Sequence, residues 1–302
     1  MSKNELRQEI MELKKAKNAV ILVHNYQIPE IQEIADFFGD SLELSKIAAE
    51  LDAKIIVFCG VHFMAETAKI LSPDKMVLLP RKDAGCPMAD MVDAESLRRL
   101  KAQYPDAEVV TYVNTTAEVK AESDVCCTSA NAIKVVQNVE SQRIIFVPDK
   151  NLANYVARFV DKEIIPWDGY CYVHQKIDPI EVIKAKQMND GAKVIVHPEC
   201  TKEVIDLADE VLSTSGMIRF AKNTSAKIII VGTEEGLLYR LKKQNPDKIF
   251  YTAGPAQLCR NMKLTTLEDV YLALKEEKYK IEVPESIRKR AKIALDRMLE
   301  YV

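Results

Sequence analysis

The chain has 302 residues, of which 48% are hydrophobic, so it can bury a large core and is long enough for more than one domain. Its formal net charge is -3, its sequence pI is about 6.0 and it has no dense cluster of Lys and Arg, which argues against nucleic acid as a partner. The longest apolar runs, such as residues 19–23, are far shorter than the roughly 20 residues of a membrane-spanning helix. We therefore expect a cytoplasmic protein with no membrane partner.

Short apolar runs of the buried-strand type alternate with amphipathic helical patterns along the chain. In the first part we predict helices over 3–17, 42–51 and 63–71 and strands over 18–23, 54–59 and 76–79. In the second we predict helices over 94–104, 130–139 and 151–159 and strands over 109–113, 143–147 and 163–166. In the third we predict strands over 194–196, 227–231 and 248–251 and a helix over 235–243. A helix over 266–277, a strand over 280–283 and a final helix complete the chain.

Seven cysteines are spread through these elements, an odd number without the dense spacing of a disulfide framework, which fits a reducing compartment. Three of them divide the chain almost evenly, because Cys171 lies 85 residues after Cys86 and 88 residues before Cys259. We interpret these three as one position of a repeated unit. The cysteines in or beside predicted strands are expected to be buried packing residues, namely Cys59, Cys126 and Cys127, and the role of Cys200 is open.

An aspartate recurs at the same place in each unit, as Asp36, Asp124 and Asp209. These residues lie 12, 10 and 12 positions after His24, Asn114 and His197, at which the first strands end, and 50, 47 and 50 positions before the cysteine that closes each unit. Landmarks that keep register over a period of about 86 residues indicate an internal repeat.

Strands that alternate with helices predict parallel sheets covered by helices on both faces. We therefore predict an α/β fold of three repeated three-layer α/β/α units with parallel sheets, arranged in a pseudo-threefold triangle around a central active site. The predicted units are residues 1–105, 106–190 and 191–263, followed by a C-terminal helix-strand-helix cap over 264–302.

Polar residues stand at the end of the first predicted strand of every unit, as His24, Asn114 and His197. Ligand sites in α/β sheets lie outside the carboxyl ends of the strands, so we expect these side chains to meet. One histidine at a strand end is usually a structural residue, but recurrence in three units favours a shared site. Tyr26, Tyr112 and Glu199 accompany them, and Glu199 beside His197 is the candidate acid/base pair.

A hydroxyl residue follows each of the three aspartates by five positions, at the start of a predicted helix, as Ser41, Ser129 and Thr214. Three helix N-caps would explain these residues without any ligand. Three helix N-termini directed to the centre would also present N–H groups and positive dipole ends, which bind carboxylates and phosphate. Both interpretations are open at this point.

The three evenly spaced cysteines are candidate metal ligands. Their separations match no compact ferredoxin motif, so it is their symmetry that supports a metal centre. Thiolates from three equivalent loops could bind three irons of a [4Fe-4S] cluster and leave the fourth iron open as a Lewis acid. A zinc site that combines Cys171 with His174 is the competing interpretation.

Several motifs resemble those of quinolinate synthases, over a stretch from about residue 18 to about residue 265. They are His24-Asn25-Tyr26-Gln27, Gly39-Asp40-Ser41, Tyr112-Val113-Asn114-Thr115-Thr116-Ala117-Glu118, Thr128-Ser129-Ala130-Asn131-Ala132, Cys171-Tyr172-Val173-His174-Gln175, His197-Pro198-Glu199-Cys200 and Cys259-Arg260-Asn261-Met262-Lys263.

The resemblance implies an enzyme of NAD biosynthesis that condenses iminoaspartate with dihydroxyacetone phosphate to give quinolinate, phosphate and water. It implies a [4Fe-4S] cluster with one open iron, held by Cys86, Cys171 and Cys259. Catalytic roles are implied for His24, Tyr26, His197 and Glu199. Substrate contacts are implied for His24, Ser41, Tyr112, Val113, Asn114, Ser129, His197, Pro198, Glu199 and Thr214. Transient coupling to an aspartate-oxidising enzyme is also implied.

Two other classes of function are compatible with the sequence. A different [4Fe-4S] hydro-lyase acting on a small polyanionic substrate would use the same open iron and the same anion-binding groups. A non-catalytic metal-binding sensor would need the cysteines but not polar residues at three strand ends. Formation of quinolinate from the two substrates distinguishes our interpretation from both.

Overall fold

A computed structural model describes residues 1–255 and 257–301, and within them the same order of elements occurs three times. Each unit begins with a helix and continues with four strands that alternate with three helices. The first unit consists of α1 (Lys3–Ala16), β1 (Ala19–His24), α2 (Pro29–Gln32), β2 (Phe37–Gly39), α3 (Ser41–Glu50), β3 (Ile55–Cys59), α4 (His62–Leu71) and β4 (Met76–Leu78). The second consists of α5 (Ala94–Gln103), β5 (Glu108–Tyr112), α6 (Ala117–Ala121), β6 (Val125–Cys127), α7 (Ala132–Asn138), β7 (Arg143–Val147), α8 (Lys150–Val156) and β8 (Glu163–Pro166).

A short helix, α9 (Tyr172–Gln175), lies between the second and third units. The third unit consists of α10 (Pro179–Met188), β9 (Lys193–Val196), α11 (Lys202–Ile205), β10 (Glu210–Val211), α12 (Thr214–Asn223), β11 (Ile228–Gly232), α13 (Leu237–Gln244) and β12 (Ile249–Thr252). Two helices follow, α14 (Leu267–Glu276) and α15 (Glu285–Glu300), and single 3₁₀ turns occupy Ala89–Met91, Ala157–Phe159 and Asn261–Lys263. None of the helices in these described ranges is both long and apolar enough to cross a membrane.

Every unit folds into one parallel four-stranded sheet with the same strand order. The orders are β2-β1-β3-β4, β6-β5-β7-β8 and β10-β9-β11-β12, so the first and third strands of each unit are central. All five residues of β3 are buried, as expected for an apolar strand covered by helices on both faces. The predicted α/β fold with three repeated units is confirmed.

The second strand of each unit is missing from the sequence predictions. β2, β6 and β10 contain only two or three residues, too few for the runs or alternation by which strands are recognised. Cys126 and Cys127 consequently lie within a strand, β6, and not beside one as predicted. Both are fully buried, in agreement with a packing role.

The three recurring aspartates have one structural role. In each unit the carboxylate accepts a hydrogen bond from a backbone N–H of the first strand, as Asp36 from Ile21 at 2.8 Å, Asp124 from Val109 at 2.7 Å and Asp209 from Val194 at 2.8 Å. The aspartate N–H donates in return to the carbonyl of the same strand residue, at 3.0, 3.1 and 2.8 Å. This reciprocal pair aligns the short second strand with the first, which explains why its spacing is kept in all three units.

The C-terminal segment joins the first two units. α14 packs against α1, and Lys280 forms an antiparallel bridge with Leu78 in β4, so the predicted strand over 280–283 is reduced to one bridge. α15 then packs on α6 and β6 and also contacts α4. Its buried face belongs to a hydrophobic core that contains residues of both units, and this face consists of Ala291, Ala294, Leu295 and Met298.

Replacement of Asp124 by Ala should lower the free energy of unfolding by about 1–2 kcal/mol, because the buried N–H of Val109 would lose its acceptor. Asp124→Asn keeps an acceptor oxygen for the N–H of Val109, so it should lower the free energy of unfolding by clearly less than Asp124→Ala does. Urea unfolding of the metal-free protein and its two variants measures the difference. Equal stability of all three would contradict the structural role of the aspartate.

Candidate active site

The first strands of the three units end at one cavity. β1 ends at His24, β5 ends at Tyr112 and β9 is followed at once by His197. The empty space at this place, including solvent at its mouth, is about 710 Å³. All the strand-end residues that we expected to meet line this cavity, namely His24, Tyr26, Tyr112, Asn114, His197 and Glu199.

The three evenly spaced cysteines, Cys86, Cys171 and Cys259, line the same cavity as free thiols. Each lies in the loop that follows the fourth strand of its unit. Burial raises the pKa of Cys86 to about 12, and the neighbouring Cys259 contributes to this rise. Burial likewise raises the pKa of Cys171, with a contribution from Cys86. Cys86 is therefore close enough to the other two thiols to interact with both electrostatically.

The remaining four cysteines are buried and do not line the cavity. Burial raises the pKa of Cys59, Cys126 and Cys127, as expected for packing residues. Cys200, whose role the sequence leaves open, directs its thiol to the carbonyl oxygen of Gly232 at 3.5 Å. The structure therefore separates the cysteines into the two groups that their spacing predicts.

The donor set suits a metal centre that needs three thiolates. Among the described residues that line the cavity there is no lysine or arginine, so no cationic side chain on the cavity wall would offset the charge of three ionised thiols. Such surroundings keep thiols protonated until a bound cation deprotonates them. Thiols contributed by three separate loops fit an iron-sulfur cluster better than any site on one loop.

Glu199 is buried between two histidines. Its Oε2 lies 2.6 Å from Nδ1 of His174 and 3.7 Å from Nδ1 of His197, and the two imidazole rings stack with centroids 4.6 Å apart. Burial alone would raise the pKa of Glu199, but the interactions with His197 and His174 and a hydrogen bond from Tyr112 outweigh it and lower the pKa to about 2. Glu199 is therefore ionised at neutral pH. Its closest partner is His174, not the His197 of the predicted pair.

A chain of hydrogen bonds continues from His174 to Tyr26. Nε2 of His174 lies 2.9 Å from Oγ1 of Thr233, and this oxygen lies 2.6 Å from the hydroxyl of Tyr26. The contacts have one consistent direction, in which Tyr26 donates to Thr233, Thr233 donates to Nε2 of His174, and Nδ1–H of His174 faces Glu199. Nε2 of His174 is thus occupied by Thr233, and Nδ1 has Glu199 as its nearest charged neighbour. This arrangement disfavours the zinc site with Cys171, although the ligand atoms of Cys171, His174 and Glu199 lie within 4.8 Å of one another.

Thr233 and the contact between His174 and Glu199 were not predicted. Thr233 follows β11 in the third unit and meets Tyr26 of the first, so no local motif indicates it. His174 did carry a signal, because it lies three residues after Cys171, but that spacing pointed to zinc.

His24 and His197 are neutral imidazoles at neutral pH. Burial lowers the pKa of each to about 3. Nδ1 of His24 accepts a hydrogen bond from the N–H of Tyr26 at 3.2 Å, which leaves Nε2 of His24 as the N–H donor. Nε2 of His197 lies 3.1 Å from Oγ of Ser129. The two rings can therefore donate hydrogen bonds without adding positive charge.

The hydroxyl residues Ser41, Ser129 and Thr214 line the cavity, but none of them is an N-cap. The N-caps are Asp40 for α3, Asn131 for α7 and Ser213 for α12. Asp40 and Ser213 already accept N–H groups of their own helices, so the N-termini present fewer free N–H groups than the sequence suggested.

Hydroxyl and amide groups supply the polar lining in their place. Oγ1 of Thr214 accepts a hydrogen bond from Nδ2 of Asn25 at 2.8 Å, so the Thr214 proton can be donated to a ligand. Oδ1 of Asn114 is buried and has no hydrogen-bond partner among the described residues, which is unusual unless a ligand supplies one. Two further predicted contacts, Val113 and Pro198, are buried next to lining residues but do not line the cavity themselves.

The protein should lose stability on mild acidification, because His24 and His197 have folded-state pKa values of about 3 and unfolded values near 6.5. Between these values the unfolded chain binds more protons, so the free energy of unfolding should fall by up to about 2 kcal/mol per histidine from pH 7 to pH 5. Urea unfolding of His197→Gln over this interval should show a shallower pH dependence. His62→Gln, at a largely exposed imidazole, is the control, and equal slopes in both variants would contradict the prediction.

Comparison with known proteins identifies the family. A family model described as Quinolinate synthetase A protein matches residues 8–300. A protein named Quinolinate synthase from Thermodesulfovibrio yellowstonii is 59% identical over 300 residues, which cover 99% of this chain and 99% of the relative. Proteins of the same name from Geobacter sp. strain M21 and Alkaliphilus metalliredigens are 56% identical over 299 and 301 residues, covering 99% of this chain and 98% and 99% of the relatives. Because both kinds of match span nearly the whole chain, it belongs to the quinolinate synthase family.

Proposed function

We propose that the chain is a quinolinate synthase that condenses iminoaspartate with dihydroxyacetone phosphate, releasing quinolinate, phosphate and water. The observation that carries the proposal is the set of groups on one cavity, where three thiols, an ionised carboxylate and neutral hydrogen-bond donors come from three repeated units. Its family membership supports the same reaction. Iminoaspartate, an unstable imine, would come from an enzyme that oxidises aspartate, with which we propose transient coupling.

Neutral donors would bind the negative groups of the two substrates. The hydroxyls of Ser41, Ser129 and Thr214 and the amide of Asn114 line the cavity, where two carboxylates and a phosphate need hydrogen bonds. α3 begins at Ser41 and α12 at Thr214, so the positive ends of these helix dipoles lie beside the same hydroxyls.

Other residues would complete the substrate contacts. The imidazoles of His24 and His197 add N–H donors, and Tyr112 adds a hydroxyl. Val113 and Pro198 would contribute through the backbone, because their side chains are buried outside the lining.

Cys86, Cys171 and Cys259 would hold a [4Fe-4S] cluster by three of its irons. When bound, the cluster supplies an open fourth iron that can polarise a substrate oxygen. Ligand thiols have to stay reduced, so we propose a reducing cytoplasm as the compartment. The proposed units and cap are residues 1–105, 106–190, 191–263 and 264–302; these bounds place α5 and α10 at the end of a unit, whereas the repeated order of elements has each of them at the start of the next unit.

Glu199 and Tyr26 would each exchange a proton with the substrate at the two ends of the hydrogen-bonded chain. Glu199 is ionised and can accept a proton from a carbon or nitrogen of the bound substrate. Burial raises the pKa of Tyr26, which keeps its hydroxyl protonated and able to donate to a departing hydroxyl group. Thr233 and His174 hold the two groups in place, and the proton that Glu199 takes from the substrate balances the one that Tyr26 gives to the leaving hydroxyl.

Replacement of Cys86, Cys171 or Cys259 by serine, one at a time, should prevent the protein from holding a complete cluster, because a hydroxyl replaces one of the three thiolate ligands. Cys59→Ala and Cys126→Ala should retain it, because both thiols are buried in strands away from the cavity. The measurement is the iron and sulfide content of each protein after anaerobic purification. A full complement of iron and sulfide in the Cys171→Ser protein would refute the ligand assignment.

Glu199→Gln should bind iron like the unaltered protein but form quinolinate about 100- to 10,000-fold more slowly, because the amide has nearly the same shape and cannot accept a proton. Anaerobic kinetics with iminoaspartate and dihydroxyacetone phosphate measure the effect on cluster-replete protein. Glu203→Gln, at an exposed position four residues away, should retain normal turnover. Normal turnover in Glu199→Gln would remove Glu199 from the mechanism, and no quinolinate from the unaltered protein would refute the proposed function itself.

A further inference from the structure

Two buried carboxylates hold the backbone of two of the cavity cysteines. Oδ2 of Asp149 accepts a hydrogen bond from the N–H of Cys171 at 3.1 Å, and Oε1 of Glu234 accepts one from the N–H of Cys259 at 3.0 Å. Asp149 is 0% exposed and Glu234 is 1% exposed. Burial of a carboxylate is costly, so its contacts require an explanation.

The two acids occupy one position of the repeat. Asp149 lies two residues after the end of β7, and Glu234 lies two residues after the end of β11. The same position in the first unit, after β3, is Val61. The acid therefore recurs in the two units whose cysteine N–H it binds. The loop of Cys86 is held in another way, by Nδ2 of Asn261, which donates to the carbonyl of Gly85 at 2.7 Å.

The second oxygen of each carboxylate is anchored as well. Oδ1 of Asp149 accepts from the N–H of Leu152 at 2.8 Å, at the start of α8. Oε2 of Glu234 accepts from the N–H of Gly236 at 2.7 Å and from Nζ of Lys263 at 2.9 Å. Both acids thus connect a cysteine to the end of a central strand through hydrogen bonds to both of their oxygens, although burial raises the pKa of each carboxyl group.

Lys263 extends the contact of the third unit to the first. Its Nζ binds Glu234 and also donates to the backbone carbonyl of Tyr26 at 2.5 Å. The loop of Cys259 and the loop that carries Tyr26 are therefore held by the same pair of charged side chains.

We propose that Asp149 and Glu234 are positioning residues, each of which fixes the backbone of one cysteine so that its thiol is directed into the cavity. This inference rests on the proposed function, in which these thiols are cluster ligands. The role is specific to each residue, because Asp149 binds the N–H of Cys171 and Glu234 binds the N–H of Cys259, and neither binds another cysteine among the described residues. Metal-free protein should already show the effect, since the hydrogen bonds belong to the protein alone.

The test measures how fast each cysteine of the metal-free protein reacts with iodoacetamide, with the modified sites mapped by peptide mass spectrometry. An amide offers one acceptor oxygen where the carboxylate offers two, so Asp149→Asn cannot bind both Leu152 and Cys171. We expect Asp149→Asn to speed labelling of Cys171 by about tenfold or more and to leave Cys259 unchanged. Glu234→Gln should speed labelling of Cys259 to a similar extent and leave Cys171 unchanged.

Internal and matched controls separate positioning from general loss of structure. Buried Cys59 and Cys126 should label slowly in both variants, because they respond only to unfolding of their strands. Asp93→Asn alters the N-cap of α5, which is not part of the cavity, and should change none of the rates. After iron loading, both cavity variants should also lose iron to a chelator faster, since residues that support metal ligands commonly contribute roughly 10- to 100-fold in affinity.

The proposal would be overturned if Glu234→Gln raised the labelling rate of all cysteines equally, or if it did not raise the labelling rate of Cys259. If Asp149→Asn does not fold, which uniform rapid labelling would reveal, Glu234→Gln decides alone. Failure of the proposed function would look different, because the unaltered protein would then bind no iron while the labelling pattern could still hold.

Discussion

Parallel strands end on the same edge of a sheet, and every property of the site depends on this constraint. Three sheets with identical strand order place the ends of their first strands at one cavity, which brings His24, Tyr112 and His197 together from distant parts of the chain. The first strand is central in each sheet, so its end is enclosed by neighbouring strands and helices. The loops after the fourth strands then bring the three thiols to the same place.

Enclosure determines the charge state of the groups in the cavity. Burial keeps His24 and His197 neutral and the hydroxyl of Tyr26 protonated, because a low-dielectric environment disfavours the charged forms. Glu199 is the exception, because its interactions with His197, His174 and Tyr112 favour its ionised form. The site thus contains a base and a separate acid joined by hydrogen bonds, with neutral donors for anionic ligands around them.

Repetition made much of the fold predictable from the sequence. Asp36, Asp124 and Asp209 keep their spacing because each forms the same reciprocal hydrogen bonds with its first strand. The strand-end residues were predictable for the same reason, since equivalent positions in three equivalent sheets meet if the sheets face one centre. The continuous apolar runs of the central strands, alternating with helical patterns, also made the parallel α/β fold class predictable.

Features that depend on single contacts between units were not predictable. The short strand β2 has an exposed surface at Phe37 and Phe38 and no apolar run, so its sequence resembles a loop. Asp40 and Ser41 are adjacent and either could cap a helix, and only the structure shows that Asp40 does so. Thr233 has no sequence signal, because its role depends on a partner, Tyr26, that lies 207 residues away in the chain.

The central claim is that three cysteines, one from each unit, hold a [4Fe-4S] cluster whose remaining iron is open to substrate. Mössbauer spectroscopy of protein loaded with ⁵⁷Fe, recorded with and without dihydroxyacetone phosphate, tests it most directly. With three thiolate ligands, we predict that about one iron in four changes its signal when the substrate binds, while the others stay the same. A spectrum in which no iron responds, or in which all respond equally, would contradict the claim.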